Sequence, residues 1–150
     1  MKLSTQDADL FYGLMWSLLN YANLKLGIFP DIATGDEYNN LPPSQKLSVR
    51  DALYDNIELV DAYLEENPQE LSQEEREIVR SWKKFVRGDF YIKRLLKKYA
   101  VFIGDENVYA VLALHDSFED MLAFTRLPCY AKAVLLPFKN KIVYDGILQG

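Results

Sequence analysis

From Leu10 to Ala22 apolar residues return every three or four positions, with Leu10, Leu14, Leu18 and Tyr21 or Ala22 on one face and Phe11, Met15 and Leu19 beside them. That is the period of a buried amphipathic helix. Ser4 or Thr5 is placed to cap it, Asp7 and Asp9 suit the positive end of its dipole, and the helix is expected to stop near Gly27. Over 28–43 the run IFPDIATGDEYNNLPP is interrupted by Pro30, Gly35, Asn39-Asn40 and Pro42-Pro43, which predicts an exposed loop without a regular element. A second helix is expected over 48–67, with Leu53, Ile57, Val60 and Leu64 inward and Asn67-Pro68 as its stop. Its outer face is acidic, carrying Asp51, Asp55, Glu58, Asp61, Glu65 and Glu66. A third helix opens at the capping-box pair Ser72 and Glu75, turns Ile78, Trp82 and Phe85 or Val86 inward, and is expected to end at Gly88.

After Gly88 the apolar period shortens to two, the signature of strands. Two hairpins are predicted, one pairing 99–103 with 108–114 and one pairing 131–138 with 142–147 around a Lys-Asn-Lys turn. Pro137 points to an edge or a bulge in the second. Between the hairpins, Asp116 or Ser117 can cap a short helix that carries Phe118, Met121 and Leu122 inward. Helices grouped before strands predict an α+β fold: three N-terminal helices packed on a C-terminal antiparallel β-meander of about four strands with a short inserted helix. The chain reads as a single domain over 1–150, helical over 1–88 and β-rich over 89–150.

Composition narrows the chemistry. Hydrophobic residues make up 49% of the chain, too many for intrinsic disorder. The only cysteine, Cys129, rules out an intrachain disulfide and a cysteine-cluster zinc site, and His115 is the only imidazole, so no metal or cofactor is expected. The first apolar stretch is broken by Gly13, Ser17 and Asn20 before it reaches a membrane span, and no signal-peptide pattern precedes it, so no membrane association and a cytoplasmic location are expected. Asp31, Asp36 and Glu37 lack the spacing of a calcium loop and read as solvated side chains.

The charge is segregated. Between 76 and 98 nine basic residues stand against two acidic ones, whereas the rest of the chain carries 8 basic and 20 acidic. Arg80, Lys83, Lys84, Arg87, Lys93, Arg94, Lys97 and Lys98, interleaved with Phe85, Phe90, Tyr91 and Tyr99, are therefore candidate nucleic-acid-binding residues. The competing expectation is that the acidic second helix neutralises the basic third one, in keeping with a pI near 4.9. The catalytic candidates are few: His115 with Asp116 as a proton-transfer pair and Cys129 or Ser117 as a nucleophile, in a spacing that matches no known motif.

Tyr109-Ala110-Val111-Leu112, Asp116 with Phe118 and Glu119, and Leu135-Leu136-Pro137-Phe138-Lys139 with Ile142-Val143-Tyr144-Asp145-Gly146 resemble a segment of a group of uncharacterised bacterial proteins with an LLPFKxxIVYDG-type ending. The resemblance covers roughly a third of the chain, implies a bacterial, intracellular, β-rich unit, and carries no activity with it. The leading expectation is a non-enzymatic interaction domain that binds another protein or itself through the meander edge and nearby aromatics. A nucleic-acid-binding module using 76–98 is the first alternative, and a hydrolase-like enzyme around His115 is the second.

Overall fold

The computed structural model describes residues 2–150, which divide into two compact units, one formed by 10–83 and the other by 2–9 with 84–150. Helix α1, Thr5–Leu26, begins in the second unit and continues into the first. Phe11, Leu14, Met15, Leu18, Leu19 and Ala22 are buried along it as the periodicity predicts, and Gly27 follows its last residue at φ +64, the left-handed conformation that ends many helices. Asn23 then fixes the exit: its amide donates to the Phe29 carbonyl at 2.9 Å and its oxygen accepts from the Phe29 N–H at 2.7 Å.

In the helical unit two predicted boundaries are corrected. The expected loop over 28–43 contains a helix, α2, Gly35–Asn39, capped by Thr34, whose hydroxyl accepts from the Glu37 N–H. Tyr38 is buried there, and its hydroxyl donates to the Lys46 carbonyl at 3.0 Å. The Thr34-to-Glu37 spacing is itself a capping signal, outweighed in the sequence by the surrounding Pro and Asn. A Cβ on Gly35 would lie 3.2 Å from the backbone of Ser17, so α2 and α1 approach closely at this glycine.

The expected second helix is two: α3, Pro43–Asp55, and α4, Leu59–Glu66. The break falls at Asn56, which leaves helical geometry at φ −132 and ψ 54 and whose side-chain amide donates to the Ala52 carbonyl. Asparagine bonds to nearby backbone in just this way and so competes with helix propagation. On α4, Tyr63 is 1% exposed, and burial pushes its phenol from 10.0 to about 12. The fold thus accepts the neutral phenol: this contribution is intact below pH 10 and is lost as pH rises toward 12. Urea titrations at pH ~9 and ~12 should show the parent losing on the order of 2 kcal/mol more than Tyr63→Phe; parallel losses would contradict the burial effect.

Helix α5, Gln73–Ser81, has both halves of the capping box: the Glu75 N–H donates to the Ser72 hydroxyl and the Ser72 N–H to the Glu75 carboxylate. Ser72→Ala should cost about 1 kcal/mol in urea denaturation, and Ser72→Asn should recover most of it. The helix stops well before Gly88. It passes through a 3-10 turn, Trp82–Lys84, with Trp82 buried edge-on against Phe11.

The second unit is a barrel. Its strands are β1, Val86–Leu95; β2, Ala100–Ile103; β3, Val108–Leu112; β4, Cys129–Phe138; and β5, Lys141–Tyr144. A short helix α6, Phe118–Met121, joins β3 to β4 and is capped by Ser117. Both predicted hairpins form, the second through Lys139 and Asn140 at φ 45 and 64, the pair of positive φ values that a tight two-residue turn demands. Pro137 lies opposite Ile142, one position from the pair that closes this turn, where an antiparallel ladder asks for no N–H toward β5.

The fold is α+β, but the antiparallel four-strand meander is corrected to five strands closed in the order β1-β2-β3-β5-β4, with β3 and β5 parallel. Gly88, expected to end a helix, lies inside β1. β1 makes closure possible because it belongs to both sides, pairing with β4 over 86–92 and with β2 from Tyr91 onward. A bulge between Ile92 and Arg94 bends it from one partner to the other. Inside, Phe90 packs near Phe102, Phe102 near Phe118 and Phe118 near Tyr144, with ring centroids 6.0, 5.6 and 5.4 Å apart. The N-terminal residues join this unit through the Leu3 N–H to Ala113 carbonyl bond at 2.9 Å and the Asp7–Lys139 ion pair at 3.0 Å.

Candidate nucleic-acid interface

Residues directly opposite one another in a ladder share a face, so the register shows which side chains meet on the outside of the barrel. Tyr130 of β4 lies opposite Tyr91 of β1, Tyr91 opposite Ile103 of β2, and Ile103 opposite Val108 of β3. These four make one row across four strands. Its ends are open to solvent, Tyr130 at 68% and Val108 at 67%, while Tyr91 and Ile103 are half-buried between them. The Tyr91 and Tyr130 rings meet edge to face, with centroids 4.2 Å apart. Inward neighbours Phe90, Ile92 and Phe102 fill the core, so alternation leaves these rings no place inside.

Cations border the row on one side. The bulge in β1 exposes two successive residues, Lys93 and Arg94, and the β1–β2 turn, closed by the Leu96 N–H to Tyr99 carbonyl bond at 2.8 Å, presents Lys97 and Lys98 at its tip. Lys132 of β4 extends the same face, opposite Asp89. Among the described residues, Lys93, Arg94, Lys97 and Lys98 enter no ion pair.

The basic segment read from the sequence is therefore two things. Arg80 pairs with Glu77 on its own helix and Lys83 with Asp61 of α4 at 2.8 Å, so Asp61 is the one acidic residue of the expected second helix shown neutralising a cation of this segment. Lys84 is exposed in the 3-10 turn, and Arg87 lines a cleft with Asp89, Asp105 and Glu106. The four cations from Lys93 to Lys98 lie on the end of β1 and in the turn that follows it, beyond Tyr91 on the same strand. Tyr130 and Lys132 escaped sequence reasoning because they stand about forty positions from Tyr91 and reach its face only through the β1–β4 register. Their alternation with buried Ala131 and Ala133 was the one available signal.

The catalytic candidates take other partners. His115 Nε2 lies 3.0 Å from Asp9 Oδ1, both side chains being largely exposed, rather than forming its pair with the adjacent Asp116. The Ser117 hydroxyl accepts from the Asp120 N–H as a helix cap. Cys129 lies opposite Ile92, and burial pushes its thiol up, away from the nucleophilic thiolate. Among the described residues no three His, Cys, Asp or Glu side chains gather as metal ligands would, and no helix is long and apolar enough to cross a membrane. No family model, no curated protein and no solved structure matches the chain.

Proposed function

We propose that the barrel unit binds single-stranded nucleic acid on its outer face. The observation that carries this reading is the outward Tyr91–Tyr130 pair, with Tyr130 open to solvent, on the same barrel as four cations from Lys93 to Lys98 that have no carboxylate partner. Single strands are held by such a combination: flat rings on which bases stack, worth about 1–3 kcal/mol per base, and a cationic border that tracks the phosphates. The fold supports it by analogy. Five strands closed with β1 shared between β2 and β4, and a helix joining β3 to β4, resemble the oligonucleotide- and oligosaccharide-binding barrels, which bind along the strand 2–3 face and the 1–2 and 4–5 loops. Here the 1–2 loop holds Lys97 and Lys98, and the 4–5 loop is Lys139-Asn140.

The acidic pI does not oppose this, because the charge is unevenly divided. The barrel unit carries 11 basic and 9 acidic side chains, a net of +2, and the helical unit 6 and 13, a net of −7. Exposed charges act over roughly 8 Å in physiological salt, so the local cations govern a strand lying on this face. Titrating the chain into fluorescent single-stranded RNA and DNA at two salt concentrations tests the reading. Binding that weakens steeply with salt is expected, and no binding at low salt would end the proposal.

A protein partner is the second reading, favoured by Phe124, which is wholly exposed after α6 with Met121 exposed one turn before it. The edge through which such a partner was expected to pair is mostly removed by closure of the barrel, apart from the start of β1.

A further inference from the structure

β1 pairs with β4 along 86–92 but with β2 only from Tyr91, because β2 ends at Ile103 and turns away. On the β2 side, 86–90 therefore borders a cleft of about 300 Å³ whose far wall is the β2–β3 turn and Tyr109. Two glycines shape it. A Cβ on Gly88 would meet nothing within 4 Å, so the absent side chain leaves open space, whereas a Cβ on Gly104 would lie 3.3 Å from the Phe90 ring, so the turn lies directly against the core.

The direction of the main chain follows from the ladder. Lys132, opposite Asp89, exchanges both of its backbone bonds with Gln149, at 2.7 and 3.0 Å, on the side of β4 away from β1. Asp89 and Lys132 are thus a non-hydrogen-bonded pair, and the Asp89 N–H and C=O point away from β4, into the cleft. The cleft is also acidic: Asp89, Asp105 and Glu106, all exposed, stand against the single guanidinium of Arg87.

We propose that this cleft takes an extended peptide segment bearing lysine or arginine, added as a strand beside the first half of β1. Its main chain bonds to that of Asp89, and its cations face Asp89, Asp105 and Glu106. An exposed strand edge beside a cleft offers this mode of capture, with main-chain bonds giving affinity and alternate side chains giving specificity. The inference does not rest on the nucleic-acid reading: it is argued from the open edge of β1 and from the carboxylates that line the cleft.

The test is fluorescence anisotropy of the full chain with a labelled Lys-Val-Lys-Val-Lys-Val peptide, the same peptide N-methylated at alternate residues, and a Glu-Val counterpart. Saturable binding of the first is expected, weakened at least about tenfold by N-methylation, by the Glu-Val exchange, and by Gly88→Val, which fills the cleft with a residue that strands favour. Asp105→Lys with Glu106→Lys, on an exposed turn, provides a second variant should Gly88→Val disturb folding, and is expected to weaken binding by a similar factor. Failure of the first peptide to bind, equal binding of the N-methylated or Glu-Val peptide, or undiminished binding by either folded variant would overturn the proposal. RNA affinity is expected to be unchanged in Gly88→Val, which separates this site from the aromatic face.

Discussion

Lys97→Glu with Lys98→Glu is expected to weaken low-salt binding of single-stranded RNA or DNA by at least about tenfold and to flatten its salt dependence by about 1.4 in log–log slope. The slope is the more diagnostic quantity. Each phosphate neutralised on a single strand releases about 0.7 of a counterion, so two lost contacts have a predictable signature that unfolding would not imitate. Tyr130→Ala should act differently, costing about 1–3 kcal/mol, up to roughly a hundredfold in affinity, with the salt slope unchanged, because stacking exchanges no ions. Lys83→Glu serves as a control: Lys83 already faces Asp61 at 2.8 Å, and its reversal should leave nucleic-acid affinity where it was. Filter binding or anisotropy across a salt series would distinguish these outcomes. Equal sensitivity to Lys83 and to Lys97 with Lys98 would mean that net charge rather than this face controls binding.

Phe118→Ala is expected to be the most destabilising single change in the barrel, at about 3–5 kcal/mol. Phe118 has no exposed surface and is the first residue of α6, set between the Phe102 and Tyr144 rings at 5.6 and 5.4 Å. Truncation removes its contacts with both rings and leaves a cavity that the closed ladders around it resist filling. Against total stabilities of about 5–15 kcal/mol, this loss is enough to unfold much of the unit. Trp16 and Trp82 both belong to the helical unit, so tryptophan fluorescence reports mainly on that unit; amide hydrogen exchange in β2 and β4 is the suitable measure. A loss below about 1.5 kcal/mol would show that Phe118 is not a principal support of the barrel.

The local elements were legible because their causes are local. Helix α1 with its Gly27 stop, the Ser72–Glu75 capping box, the Ser117 cap and both hairpins each depend on residues a few positions apart, and each was found where spacing put it. The misreadings were also local, where two signals competed: Thr34 and Glu37 against a run of helix breakers, Asn56 against an otherwise continuous apolar period, and Gly88 as a helix stop against Gly88 as a strand residue.

The α+β class, most of the elements, the single cysteine and histidine, and the basic stretch within an acidic chain can all be read from the order of residues alone. The folded chain alone shows that the strands close on themselves, that β3 runs parallel to β5, and that Tyr130 stands beside Tyr91. It also shows which cations are neutralised, separating Arg80 and Lys83 from the group between Lys93 and Lys98. The difference lies in the range of the forces involved. Helix caps and turns are set by neighbours along the chain, whereas strand register and charge compensation are set by residues that meet only after loops of many positions have closed, and composition carries no record of which ones meet.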